Sequence, residues 1–216
     1  LVRDRSVNAF ALPGGYMGVH TGLIAVVSSA DELAAVLAHE LSHVTQRHIS
    51  RLMTKQQQQT PWVIGAMILG ALAASKSPDA ANAAIVGGQA LAVQGQLNFS
   101  RDMEREADRV GFGVMTQAGF EGQGVSGMFE KLQQAARLND NGAYPYLRSH
   151  PLTTERIAEA RARLQTGESA AHSRTVLSGL EPQLHAMMAA RARVLGSPGV
   201  DDLRSMVAEG QRAVTE

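Results

Sequence analysis

Residues 28–51 read SSADELAAVLAHELSHVTQRHISR, an apolar helical run with His39, Glu40 and His43 in its middle. No other stretch constrains the fold as much. Leu33, Val36, Leu37, Leu41 and Val44 recur at helical spacing and mark a face to be buried. Ser29 with Glu32 three residues on has the form of a capping box, so a long helix is predicted from Ser28 to about Lys55. The run Gln56 to Gln59 and then Thr60-Pro61 should end it. At 3.6 residues per turn, positions 39 and 43 lie about 40° apart around the axis. Both imidazoles therefore leave one face.

That pattern is the HExxH arrangement of zinc peptidases, in which two histidines grip one cation. Glu40, about 100° from His39 around the helix, can reach a water on the ion without being a ligand. Two plainer readings compete, a buried histidine pair bonded to backbone and a solvated polar face. A catalytic zinc wants three protein ligands and one open position. Downstream, SRDMEREADRVG puts Glu104 and Asp108 four residues apart on one helix face. Glu104 is the candidate third ligand, and Asp108 the candidate carboxylate behind a ligand histidine, accepting its ring N–H. Glu106 and Arg109 read as surface salt-bridge residues. The same bland reading is open to Glu104 and Arg105.

Composition narrows the alternatives. The 216 residues contain no cysteine, so any metal must be held by His and carboxylate. Lys and Arg total 20 and Asp and Glu total 20, with no basic stripe, which gives a nucleic-acid partner no electrostatic support. Aromatics are 4%, so the core is built from Ala, Leu, Val, Ile and Met, which favours helices. The longest apolar run, PWVIGAMILGALAA (61–74), falls short of the roughly 20 residues that span a bilayer. The chain starts LVRDRSV, without Met or an apolar leader, and is expected to be a fragment or a mature form whose signal peptide has been removed.

The remaining elements follow from local pattern. Residues 6–27 read as strands broken by the hairpin turn Pro13-Gly14-Gly15. Segments 62–75 and about 79–97, separated by SKSPD, read as a helical hairpin, and Ser100 as the cap of another helix over RDMEREADRVGFGVMTQAG. Helices are predicted at 123–138 and 153–165, GESAAHSRT as a linker, and two amphipathic helices split by GSPG in the tail. The fold class is α+β, predominantly helical. Residues 1–165 form the predicted catalytic domain, and 166–216 a linker with a helical extension that has room for the start of a tetratricopeptide-like region. His20, His48, His172 and His185 lack partners at ligand spacing and read as structural or exposed. His48 falls on roughly the opposite side of the predicted helix from His39.

HELSH followed by EREAD resembles the gluzincin metallopeptidases, which join HExxH to ExxxD. More narrowly, with NAFALPGG before and SHPLTTERI after, residues 1 to about 165 resemble the HtpX and CAAX prenyl protease family, nearest its periplasmic BepA-like branch. The resemblance implies a zincin-like domain with a small sheet and one zinc ion per chain, bound by His39, His43 and Glu104. It implies an endopeptidase in which the zinc activates water, Glu40 is the general base, and His150 and Arg156 stabilise the transition state. Tyr144 and Tyr146, in the same stretch, read as packing residues. Asn8, Ala9, Phe10 and Ala11 are implied to form an edge strand that pairs with extended substrate; a plain core strand is the alternative.

The resemblance further implies a periplasmic location, unfolded or misassembled envelope proteins as substrates, and contact with outer-membrane assembly machinery. A zinc-bearing module that assists outer-membrane protein assembly, with proteolysis secondary or latent, is the rival reading. Hairpin 62–97 interrupts the zinc motif and is expected near the site as a lid, a peripheral membrane contact or packing, with Met67, Ile68 and Leu69 in the core. Chemistry adds one expectation. A neutral imidazole beside an open zinc position is itself a ligand, so His150 is expected to latch the zinc when substrate is absent.

Overall fold

The computed structural model describes residues 1–74, 77–137, 143–166 and 181–215. It is predominantly helical with one small sheet. Strands β1 (Ala9–Leu12) and β2 (Tyr16–Val19) pair antiparallel, Ala9 opposite Val19 and Leu12 opposite Tyr16. The turn uses Gly14 and Gly15 at φ 92° and 85°, a region that glycine enters without steric cost. The expected strand reading of the next residues does not hold: Thr21–Val26 is a short helix, α1. Its apolar run is too short for periodicity to separate helix from strand. Packing decides, since Gly22 lies so close to Arg5 and Ser6 that a side chain there would strike backbone.

Helix α2 (Ala30–Thr45) starts as its sequence predicts. Ser29 Oγ accepts from the Glu32 N–H at 3.1 Å, while the Glu32 carboxylate reaches back to the Ser28 N–H at 2.7 Å, one residue before the usual capping-box partner. The helix does not run to Lys55. It stops at Gln46, Arg47 takes a left-handed φ of 55°, and α3 (His48–Ala74) begins in a new direction.

Gln56 to Pro61 does not end a helix either; Pro61 lies inside α3. A proline removes one helical hydrogen bond, and here packing along α4 outweighs that loss. Helix α4 (Pro78–Gln117) is the largest departure from expectation. The two helices predicted from 79 and from 100 are one continuous rod, and Ser100 is an interior residue rather than a cap. Its real cap is Ser77, whose Oγ accepts from the Ala80 N–H, with Pro78 in the first turn.

The outer halves of α3 and α4 form the expected hairpin, closely packed through small residues: Gly70 abuts Ile85 and Gly88 abuts Ala66. Met67, Ile68 and Leu69 are not core; they are exposed, as are Trp62 and Leu91 at 81% and 76%. No helix is long and apolar enough to cross a membrane among the described residues.

Helices α5 (Gln123–Arg137) and α7 (Thr154–Gln165) lie where predicted, and a single turn, α6 (Tyr146–Ser149), precedes His150. The core joins Val7, Ala9, Leu23, Val36, Met128, Phe129, Leu132 and Tyr146 between β1, α1, α2 and α5. The tail forms α8 (Glu181–Leu195) and α9 (Val200–Thr215), split at 196–199 as the sequence predicts. Helix α8 docks on α1, where His185 Nε2 meets the Val27 carbonyl at 2.9 Å. The predicted linker GESAAHSRT, with His172, lies outside the described residues.

Candidate metal centre

Three elements converge on one point. Helix α2 presents His39, Glu40 and His43, α4 crosses it with Glu104 and Asp108, and the turn after α6 supplies His150. Close crossing depends on Gly111, two turns beyond Glu104; a Cβ there would sit 3.0 Å from the His39 backbone nitrogen. His39, Glu40, Glu104 and His150 are all buried. Buried ionisable groups in such number need mutual compensation.

The inward atoms are His39 Nε2, His43 Nε2, the Glu104 carboxylate and His150 Nδ1, all within 4.8 Å of one another. His39 Nε2 lies 3.0 Å from His43 Nε2, and 3.3 Å from both His150 Nδ1 and Glu104 Oε2. Glu104 Oε1 lies 3.4 Å from His43 Nε2 and 3.1 Å from His150 Nδ1. A tetrahedral zinc with bonds of about 2.0–2.1 Å would hold its donors about 3.3–3.4 Å apart. The donor set therefore fits a zinc-sized cation in both chemistry and spacing.

Glu40 stands beside this group, 1% exposed. Its Oε1 is 3.2 Å from His150 Nε2 yet has no partner in hydrogen-bonding geometry. A buried carboxylate oxygen left without a donor is costly, and a water at the centre is the kind of donor that would satisfy it. Burial pushes the Glu40 carboxyl above its ordinary range. Tyr146 stacks on the His150 ring, with centroids 4.6 Å apart, and draws the Glu40 carboxyl down against the push of burial, so it bears on both as well as packing.

Behind His39, its Nδ1 lies 3.0 Å from Asp108 Oδ1. Burial favours neutral His39, but the Asp108 and Glu104 carboxylates outweigh it and raise its pKa to about 9. His43 goes the other way: burial, then the neighbouring His39, bring it down to about 3. Glu104 is held far below its ordinary value because hydrogen bonds from His150 and His39 overcome the upward push of burial. Divergent pKa values packed together mark a functional site.

Arg156 sits in the first turn of α7, with Thr153 Oγ1 accepting from its backbone N–H. Its Nε and Nη2 donate to the two Asp108 oxygens at 2.6 and 2.7 Å. Nη1 donates to the Pro151 carbonyl at 2.8 Å and lies 3.0 Å from Glu104 Oε2. All three nitrogens thus face the carboxylates that line the centre.

Sequence reasoning missed His48. It is 2% exposed, its Nδ1 is 2.9 Å from His43 Nδ1, and its Nε2 is 3.3 Å from Glu106 Oε2. Burial pushes its pKa down. Glu106, read as a surface residue, also accepts from Arg51 at 2.7 Å. Nothing in the sequence marks the helix break at Arg47, so no local signal pointed to this contact. His20 lies away from the centre, with its Nδ1 2.9 Å from Ser6 Oγ.

Ala9 to Ala11 fall on β1 and Asn8 lies just ahead of it; β1 pairs with β2 and with no other strand among the described residues. At its entry, the Val7 N–H donates to the Ala143 carbonyl, and the Val7 carbonyl accepts from the Tyr146 N–H, tying this strand to the segment that carries His150.

Comparison with known proteins agrees with this geometry. The profile of Peptidase family M48 matches residues 1–164. The beta-barrel assembly-enhancing protease of Escherichia coli (strain K12) is 40% identical over 167 residues, covering 76% of this chain and 33% of the relative. Its Vibrio cholerae counterpart is 41% identical over 163 residues, covering 76% and 34%. The mitochondrial metalloendopeptidase OMA1 of Schizosaccharomyces pombe is 32% identical over 157 residues, covering 73% and 43%. The chain spans about a third of the length of the two bacterial relatives.

Proposed function

The chain belongs to Peptidase family M48, and from that premise we propose that it is a zinc-dependent endopeptidase using His39, His43 and Glu104 as ligands. The observation that carries this reading is the set of five donor separations between 3.0 and 3.4 Å, drawn from three elements distant in sequence. A zinc ion in this donor set supplies Lewis acidity, polarising a peptide carbonyl and bringing water towards ionisation near neutral pH.

The protein's own groups do the rest. Glu40, raised by burial and within reach of the centre, takes the proton of the attacking water and hands it to the leaving amine. Asp108 holds the His39 ring by its Nδ1–H. Arg156 acts through the carboxylates of Asp108 and Glu104, keeping both ionised and aimed. His150 would serve in two ways: its Nδ1 lies among the donors and would help hold a cation when substrate is absent, and with substrate bound the imidazole would donate to the oxyanion. The edge of β1 that no strand among the described residues occupies takes extended substrate by strand addition through Asn8 to Ala11.

The relatives named for beta-barrel assembly support the setting: unfolded or misassembled outer-membrane proteins as substrates, the assembly machinery as partner, and the periplasm as location. The outer α3–α4 hairpin, apolar and exposed, is the surface for a peripheral membrane contact. A second reading, an assembly-assisting module whose proteolysis is latent, draws on His150 lying in the same donor cluster as His39, His43 and Glu104.

Casein cleavage by wild type and Glu40→Gln, with bound zinc measured in both, separates the two. Cleavage lost with zinc retained is the expected result. No cleavage by either protein, with outer-membrane clients still bound, gives the second reading. Equal cleavage by both contradicts the role of Glu40.

A further inference from the structure

We propose that His48 is a positioning residue of the metal centre: it fixes the tautomer and orientation of His43, and Glu106 in turn fixes His48. The inference rests on the reading of His39, His43 and Glu104 as cation ligands, and deepens it.

The ring atoms that face inward decide the tautomer. His43 points Nε2 at the centre, 3.0 Å from His39 Nε2 and 3.4 Å from Glu104 Oε1. A neutral imidazole has one protonated nitrogen, so an Nε2 lone pair for a cation requires the proton on Nδ1. That proton needs an acceptor, and His48 Nδ1 lies 2.9 Å away. To accept there, His48 must carry its own proton on Nε2, which faces Glu106 Oε2 at 3.3 Å. The same oxygen accepts from Arg51 Nη1 at 2.7 Å, which anchors the carboxylate. With the His43 Nε2 lone pair kept for a cation, one direction of donation satisfies every member: Arg51 and His48 both donate to Glu106, and His43 donates to His48.

The backbone is shaped to make this contact. In an uninterrupted helix, residues five apart lie about 140° around the axis and cannot meet. Arg47, a non-glycine residue at φ 55°, ends α2 and turns the chain so that His48 opens α3 facing back at His43. Left-handed backbone at such a residue is unfavourable and persists where surrounding contacts demand it. Its consequence here is the pairing of two imidazoles. The two ligand histidines are thereby held differently: His39 leans directly on Asp108, whereas His43 reaches its carboxylate through a second ring.

The test is Zn2+ affinity, measured by competition with a chromophoric chelator in wild type, His48→Ala and His48→Asn, alongside a thermal melt of each metal-free protein. His48→Ala should weaken Zn2+ binding about 10–100-fold, the usual loss when a ligand's outer partner is removed. His48→Asn offers a carbonyl oxygen to the His43 Nδ1–H and should recover most of that affinity. Affinity within twofold of wild type in a folded His48→Ala overturns the proposal, as does an equal loss in both variants. Should His48→Ala fail to fold, the ring nitrogens of His43 in metal-free wild type decide by 15N–1H correlation. A proton on Nδ1 is expected, and a proton on Nε2 overturns it. Wild type that binds no Zn2+ would instead overturn the ligand reading, while the tautomer, read without metal, still judges His48.

Discussion

One helix, α4, serves two regions built on opposite physics. Its C-terminal half crosses α2 with Glu104 and Asp108 buried among histidines and Arg156, and nearly every polar atom there is engaged. Its N-terminal half packs against α3 through glycine and alanine, while Val86, Leu91 and Val93 face outward. The crossing depends on charges compensating one another in a dry place, so removing one partner exposes the cost of the other. The arm depends on close backbone approach, and Val86, Leu91 and Val93 lie at its exposed surface. Substitutions in the two regions should therefore differ in size and in what they change.

The largest effect is expected at Glu40. Glu40→Gln should lower the rate of casein cleavage by about 10²–10⁴-fold, the range for a lost general acid–base group, with zinc content unchanged. Next comes Asp108→Ala, which removes the two-oxygen partner of the buried Arg156 guanidinium and leaves Glu104 as its one remaining carboxylate. It should cost about 3–5 kcal/mol in a denaturant melt, as breaking a buried ion pair does. Gly88→Leu in the arm forces a side chain against Ala66 and should cost about 1–3 kcal/mol, with casein cleavage per folded molecule unchanged. Leu91→Ala on the arm's outer face should shift stability by about 0.5 kcal/mol or less. An Asp108→Ala protein as stable as Leu91→Ala would erase the contrast between the regions.

The same contrast explains what the sequence made legible. His39, Glu40, His43, Glu104 and Asp108 could be picked out because helical spacing alone determines which of them share a face. Ser29 and the 196–199 break were readable because caps and turns are local chemistry. The continuous α4 was not readable, since Ser100 looks like a cap and only packing of the whole rod overrides it. Nor was the break at Arg47, where a residue without turn preference adopts a left-handed conformation for a tertiary reason. His48 was lost with it. The arm misled in another way, because Met67, Ile68 and Leu69 have core composition and yet lie at the surface.

Anomalous diffraction at the zinc edge from crystals of the zinc-loaded protein most directly tests whether α2 and α4 share one cation. A single strong peak is expected about 2.0–2.1 Å from His39 Nε2, His43 Nε2 and a Glu104 oxygen, with His150 Nδ1 as the fourth donor when substrate is absent. A peak coordinated by other residues, or fully loaded protein with no peak between α2 and α4, would contradict it.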